Sequence, residues 1–215
     1  MNEQQSRTTG GDGARRGVLM AFVGPSGVGK SSLCHRLMEE FARVSFSVSY
    51  TTRAPRGSEQ EGVDYHYVDE ATFLSMIEQG DFVEYARVHG NLYGTALSTV
   101  RQALSEGRDL LVDIDYQGAM QLKEVLPETV GIMVLPPSME CLESRLRGRK
   151  TDSEGVIVRR LEMAKTELAQ LEKFDYAVIN GEFEASYAEV RTIYKASLLR
   201  VKFYETFLRE TLCVG

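Results

Sequence analysis

The sequence predicts an α/β protein built on a largely parallel sheet, and three observations carry that reading. Apolar runs of strand length alternate with segments whose apolar residues recur at helical spacing, the pattern of strands joined by crossover helices. A glycine-rich turn, residues 24–29, joins the first apolar run to the first helical segment. Between Ser45 and Gly94 the rhythm breaks, and short runs of strong β character crowd around one helix. That section reads as a small antiparallel lobe inserted between units of the core. With 215 residues, 43% of them apolar, the chain suits one domain with a sizeable core and a mobile lobe.

Taken in order, residues 1–16 are polar, glycine-rich and aperiodic, and are expected to be disordered. The apolar run from Gly17 to Val23 is a buried strand at 18–23. The helix expected at 30–43 places Leu33, Leu37 and Phe41 on one face. Strands near 46–50, 63–68 and 82–88, with a helix at 70–79, make the lobe. A helix at 96–106 returns the chain to the core. There, strands near 109–114, 130–135 and 175–179 alternate with helices at 116–125, 138–147 and 154–172. The first of these strands carries Leu110, Leu111 and Val112 and delivers Asp113 and Asp115 at its carboxyl end. The last helix, 183–211, has Val190, Ile193, Tyr194, Leu198, Val201, Phe207 and Leu208 at near-helical spacing, a stripe for the core or a subunit contact.

Composition narrows the function. A net charge of −6 argues against a general nucleic-acid binder. Three separated cysteines, Cys34, Cys141 and Cys213, give neither a disulfide framework nor a zinc site, and Cys34 reads as a small buried apolar residue. No apolar run reaches membrane-spanning length and no signal peptide is read at the N-terminus, so a cytoplasmic protein without membrane contact is expected.

The stretch Gly24, Pro25, Ser26, Gly27, Val28, Gly29, Lys30, Ser31 fits G-x-x-x-x-G-K-[ST], the phosphate-cradling P-loop. Its glycines let backbone N–H groups turn inward around phosphate oxygens, and the positive end of the following helix points at the anion. Lys30 is placed to reach the β- and γ-phosphates and Ser31 to hold Mg²⁺. Arg53 and Arg56 flank a proline and can converge on one phosphate with forked hydrogen bonds, and Tyr65 and Tyr93 favour an anion site there. Arg145, Arg147, Arg149, Lys150, Arg159 and Arg160 crowd sixteen residues that hold only two acids, Asp152 and Glu154. That run fits a solvated face and a phosphate clamp equally well. Ligands of such sheets bind beyond the carboxyl ends of the strands, so the inserted lobe overhangs the phosphate site.

From about Gly17 to Asn180 the chain strongly resembles the guanylate kinases. The shared motifs are G-P-S-G-V-G-K-S at 24–31, S-Y-T-T-R-A-P-R at 49–56, G-V-D-Y-H-Y at 62–67, G-N-L-Y-G-T at 90–95 and D-I-D-Y-Q-G at 113–118. The resemblance implies a P-loop NTPase-type three-layer sandwich with an inserted small mixed α/β GMP-binding lobe at 47–95 and a helical lid at 145–160. The core is then 17–46, 96–144 and 161–215. It also implies transfer of the γ-phosphoryl group of ATP to GMP, and to dGMP, with Mg²⁺.

Site residues follow from the resemblance position by position. Arg53, Arg56, Tyr65 and Tyr93 match the groups on the GMP phosphate; two arginines and two phenols suit a dianion. Ser49, Glu84, Thr95 and Asp115 match those that read the base. A carboxylate at Glu84 accepts from guanine N1–H and the 2-amino group, while hydroxyls donate to O6; adenine presents the opposite pattern. Asp113 matches the acid that organises Mg²⁺ through water and lies on the GMP side, and Asp115 faces the acceptor. The ATP set is Gly24 through Ser31 with Ser32 and Asn180, the last near the adenine. Lys30, Arg53 and the lid arginines Arg145, Arg149 and Arg160 are the catalytic set, with Arg145 and Arg149 one turn apart. Arg147 and Arg159 fall on other faces and are expected to be solvated. Lys150 stands where the family has glycine and Gly155 where an acid is usual, which bears on lid flexibility. A monomer or a homo-oligomer is equally compatible. A phosphopeptide-binding module that has lost catalysis is disfavoured by Lys30 and the lid arginines. A kinase for a ribose bisphosphate is disfavoured by Ser49, Glu84 and Thr95.

Overall fold

The computed structural model describes residues 15–88, 90–148, 153–204 and 213. Its elements run β1 (Leu19–Val23), α1 (Lys30–Glu40), β2 (Val44–Phe46), β3 (Ser49–Thr51), β4 (Tyr65–Tyr67), α2 (Glu70–Gln79), β5 (Phe82–Val88) and β6 (Asn91–Ala96). They continue as α3 (Leu97–Ser105), β7 (Asp109–Asp113), α4 (Tyr116–Val125), β8 (Val130–Leu135), α5 (Met139–Gly148), α6 (Glu154–Leu168), β9 (Tyr176–Ile179) and α7 (Phe183–Ser197).

The core is a parallel sheet of order β2-β7-β1-β8-β9. Every residue of β1 is buried, as a central strand covered on both faces requires. Its side chains alternate between two apolar layers. Met20 and Phe22 pack with Leu33 and Leu37 of α1, Leu142 of α5, and Val190 and Tyr194 of α7. Leu19 and Ala21 pack with Val100 and Leu104 of α3 and Leu122 of α4. The result is the expected three-layer sandwich. Cys34 is fully buried in the first layer, where burial pushes its thiol well up.

The lobe departs from the sequence reading in three ways. The strand expected at 46–50 is two strands in different sheets: β2 pairs with β7 in the core, and β3 opens the second sheet. Periodicity cannot register a chain changing sheets. The second sheet, of order β4-β3-β6-β5, is mixed rather than antiparallel throughout, because β3 and β4 run parallel. The residues between β3 and β4, 52–64, supply the crossover that a parallel pair needs. Finally, β6 is a strand where the sequence shows only a glycine-bearing motif. Gly94 lies inside it, and a Cβ there would stand 2.9 Å from the Phe82 ring and 3.0 Å from that of Phe73. The glycine serves close packing under two rings, not a turn.

Three helices are shorter than expected. The first ends at Glu40, with Phe41 in extended backbone. The segment 154–172 is α6 followed by a short 3-10 turn at Leu171–Lys173. The last helix stops at Ser197 before a 3-10 turn at Val201–Tyr204, so Leu198 packs against the core while Val201 is exposed. Phe207 and Leu208 lie outside the described residues, as do residues 1–14.

Arg15 and Arg16, expected to belong to a disordered tail, are both paired: Arg16 meets Glu128 at 2.7 Å. Arg15 forks onto Asp109 at 2.8 and 2.9 Å. Asp109, almost wholly buried at the start of β7, also accepts from the Val18 N–H at 2.7 Å and the Tyr194 hydroxyl at 2.8 Å. One carboxylate therefore joins three segments at the sheet end remote from the P-loop. Asp109→Asn keeps a single acceptor and is expected to cost about 2 kcal/mol through donors left unpaired. Denaturant unfolding measures this, and kcat and KM should stay at their wild-type values.

Candidate active site

The phosphate loop leaves the carboxyl end of β1 and enters α1. Gly24, Gly27 and Gly29 have φ of 140°, 89° and 103°, in the region that favours glycine. Close approach adds to this: a Cβ on Gly24 would stand 2.3 Å from the Val134 carbonyl oxygen. Gly29 occupies the N-cap position and brings no capping side chain, so the first N–H groups of α1 face the loop. Pro25 and Val28 are buried; Ser26, Ser31 and Ser32 are exposed.

Lys30 Nζ donates to the Gly24 carbonyl at 2.5 Å and lies 3.5 Å from Asp113 Oδ1. Ser31 Oγ donates to Asp113 Oδ2 at 2.9 Å. These two side chains form an oxygen-only pair of the kind Mg²⁺ accepts while keeping water and phosphate for its other positions. Among the described residues, no group of three or more His, Cys, Asp or Glu converges to hold a metal by itself. Ser31 and Asp113 therefore fit a metal completed by nucleotide, not a protein cage.

Helices α5 and α6 cover the loop from one side. Leu142 and Leu146 approach Gly27. Arg145 donates to the carbonyls of Val28 at 3.2 Å and Asn180 at 2.8 Å, and Arg160 donates to Ser26 Oγ at 3.1 Å. Asn180 is buried, with Nδ2 donating to the Val28 carbonyl at 2.7 Å. Arg149 and Lys150 lie outside the described residues. Arg159 is exposed, as expected, whereas Arg147 is not merely solvated. It pairs with Glu143 at 2.8 Å and with Glu154 at 2.5 Å, bridging α5 to α6, because the two carboxylates flank it along and across the helix connection. A Cβ on Gly155 would meet open space, so nothing around it demands glycine. Two turns beyond Arg160, α6 carries Glu167, half-buried and in electrostatic reach of Lys30, Asp115 and Asp113; burial raises its pKa.

The lobe meets the core at α4, where the Tyr85 N–H donates to Gln121 Oε1 at 3.1 Å. Glu84, on β5, is 5% exposed and accepts from Thr95 Oγ1 at 2.6 Å; Ser49 Oγ lies 3.3 Å from that hydroxyl. Burial raises the Glu84 pKa, the Thr95 hydrogen bond lowers it, and the charge of Asp115 raises it again. Asp115 caps α4 by accepting from the Gly118 N–H at 2.8 Å, and a Cβ on Gly118 would stand 2.9 Å from Glu84 Oε2. The four residues expected to read the base are thus contiguous: Ser49, Thr95, Glu84, then Asp115 across the joint with the core.

Arg53 is buried below the ring of Tyr65, its guanidinium 5.3 Å from the ring centre, and Tyr93 packs 6.0 Å from Tyr65. Its fork is taken by Glu59 at 2.9 and 3.0 Å, a partner the sequence reading missed. Glu59 also accepts from the Arg56 N–H at 2.8 Å and the Tyr67 hydroxyl at 2.9 Å. The Arg53 fork, then the Arg56 N–H, hold its carboxyl down at about 2. The signal was present as an acid three residues beyond Arg56. The Arg56 side chain itself is exposed at the edge of this cluster.

Fold and site define a P-loop phosphotransferase of the nucleoside monophosphate kinase class: a phosphate loop between an acceptor lobe and arginine-bearing helices. Residues 16–197 match the sequence model of the family described as guanylate kinase. A guanylate kinase of Oleidesulfovibrio alaskensis is 49% identical over 185 residues, covering 86% of this chain and 90% of that protein. One of Syntrophotalea carbinolica is 48% identical over 179 residues, 83% of this chain and 85% of its own. The crystal structure of guanylate kinase from Anaplasma phagocytophilum matches with a TM-score of 0.71 at 30% identity, covering 94% of this chain and 98% of that one. The chain belongs to the guanylate kinase family.

Proposed function

We propose that the enzyme transfers the γ-phosphoryl group of ATP directly to the phosphate of GMP, and of dGMP, giving ADP and GDP or dGDP. The observation that supports the acceptor most strongly is the buried carboxylate of Glu84, flanked by the hydroxyls of Thr95 and Ser49. Glu84 accepts from guanine N1–H and the 2-amino group, the two hydroxyls serve O6, and Asp115 closes the pocket from the core. Arg53, Arg56, Tyr65 and Tyr93 take the GMP phosphate. The loop from Gly24 to Ser32 takes the ATP phosphates, and Asn180 lies on the ATP side.

Phosphoryl transfer leaves the protein little covalent work, so positioning and charge neutralisation carry the rate. Lys30 and the arginines Arg145, Arg149 and Arg160 offset the repulsion between two anionic substrates and the charge spreading over the transferring oxygens. Mg²⁺, when bound with ATP, neutralises phosphate charge; Ser31 would hold it, with Asp113 acting through water. No helix among the described residues is long and apolar enough to cross a membrane. We place the enzyme in the cytoplasm, as a monomer or homo-oligomer.

A coupled assay of ADP release with GMP, dGMP, AMP, UMP and CMP tests the reading. Turnover with the guanine nucleotides alone supports it. Equal turnover with AMP overturns the base assignment, and none with any acceptor, despite folded protein, favours a binding module.

The proposed bodies are the core, the lobe at 47–95 and the lid at 145–160. Arg53 in the lobe is forked to Glu59 whereas Arg160 reaches Ser26 of the loop, and we infer that the lobe and lid approach each other for both to contact phosphate. Solution scattering is expected to give a smaller radius of gyration with GMP plus an inert ATP analogue than with either alone. An unchanged profile at saturation counts against closure.

A further inference from the structure

Two side chains from distant parts of the chain converge on one carbonyl of the phosphate loop. The Val28 carbonyl accepts from Asn180 Nδ2 at 2.7 Å and from Arg145 Nη1 at 3.2 Å, and Arg145 Nη2 also donates to the Asn180 carbonyl at 2.8 Å. Asn180 is 6% exposed, and its amide fills the space of a Cβ on Gly29: that atom would stand 2.2 Å from Nδ2. Gly29, at φ 103°, therefore answers a steric demand as well as a conformational one.

The consequence lies in the peptide unit itself. Among the described residues all peptide bonds are trans, so the Val28 carbonyl and the Gly29 N–H point in opposite directions from one plane. A carbonyl held against Asn180 and Arg145 obliges the Gly29 N–H to face the other way, into the loop. Released, this glycine-flanked plane can turn over and present a carbonyl oxygen to phosphate. We infer that Asn180 is a positioning residue which, with Arg145, locks the Val28–Gly29 peptide so that its N–H meets a nucleotide phosphate. The inference rests on the P-loop binding nucleotide phosphate and assigns Asn180 an action through the backbone, not through the adenine.

Asn180→Asp is near in shape but places a carboxylate oxygen against the carbonyl. Losing that donor is expected to weaken ADP binding and raise the KM for ATP about tenfold or more. The KM for GMP should stay within about twofold, since the lobe is untouched. Inorganic pyrophosphate, which carries no base, separates the two roles: its affinity, measured by calorimetry, should fall by the same factor as that of ADP. The Gly29 amide resonance, which should shift when pyrophosphate binds the wild type, should shift far less in the variant. Asn180→Ala, which removes the donor without adding charge, should fall between the two, and thermal unfolding identifies any variant that fails to fold. Unchanged pyrophosphate affinity with weakened ADP overturns the inference in favour of adenine contact. So does a Gly29 shift equal to that of wild type. Wild-type protein that binds pyrophosphate but transfers nothing to GMP would instead remove the kinase reading and leave the peptide lock standing.

Discussion

Lys30→Met is expected to lower kcat by about 10³, or roughly 4 kcal/mol of transition-state stabilisation, the range for removing a preorganised electrostatic group. Methionine keeps the length of the side chain and removes the charge. Lys30 stands where the loop meets Asp113: its ammonium sits 2.5 Å from the Gly24 carbonyl and 3.5 Å from Asp113. In the proposed reaction it neutralises charge that grows on the oxygens between the β- and γ-phosphates as transfer proceeds. Because that charge is greatest in the transition state, kcat should fall further than ATP affinity. Lys30→Arg should restore little, since a planar fork cannot take the place of a compact point charge within the loop. Steady-state kinetics with saturating GMP measures the effect. A loss below tenfold would remove Lys30 from the catalytic set.

What was legible in the sequence and what was not divide along a physical line. The phosphate loop is local, so eight consecutive residues specify its geometry, and a buried strand before it and an apolar helix face after it confirm the context. Asp113 and Asp115 were legible for the same reason, as acids immediately beyond an apolar run. Partnerships across the chain were not. The Val28 carbonyl and Asn180 are 152 residues apart, and nothing in either neighbourhood announces the other. Glu59 is not legible because an acid in a loop just beyond two arginines looks solvated until its fork with Arg53 is seen. Arg147 is expected to be solvated on sequence, and its engagement with Glu154 depends on how α6 returns beside α5. The missed β6 and the parallel β3–β4 pair have one cause: strand pairing is a long-range choice, whereas alternation describes only one strand at a time.

The largest effect on the acceptor side is expected from Glu84→Gln. The carboxylate offers two acceptors to two guanine donors. The amide offers one acceptor and an NH₂ that opposes a donor, a mispairing inside a pocket where Glu84 is 5% exposed. The loss of kcat/KM for GMP should be roughly 2–4 kcal/mol, about 30- to 1,000-fold, with the KM for ATP nearly unchanged. Protonation gives a second signature. Burial, with the like charge of Asp115, raises the Glu84 pKa against the lowering by Thr95, and only the ionised form accepts twice. The kcat/KM for GMP should therefore fall as pH drops through that raised pKa, at higher pH than for an ordinary glutamate, and this limb should vanish in the variant. Stability should move the opposite way. A carboxyl whose folded pKa is raised binds its proton more tightly in the native state than in the unfolded one. Its contribution is complete below the unfolded pKa and is lost as pH rises through the folded pKa. At neutral pH the ionised side chain thus costs the ligand-free enzyme stability, and the neutral amide, still able to accept from Thr95, removes that cost. A gain of about 1 kcal/mol would raise Tm by roughly 2–4 °C for a chain of this size. Weaker GMP turnover with a higher Tm is the combined result expected from a residue kept for recognition at the expense of packing. Less than a threefold change in kcat/KM, or a parallel loss of GMP, ATP and thermal stability, would show that Glu84 supports the lobe without reading the base.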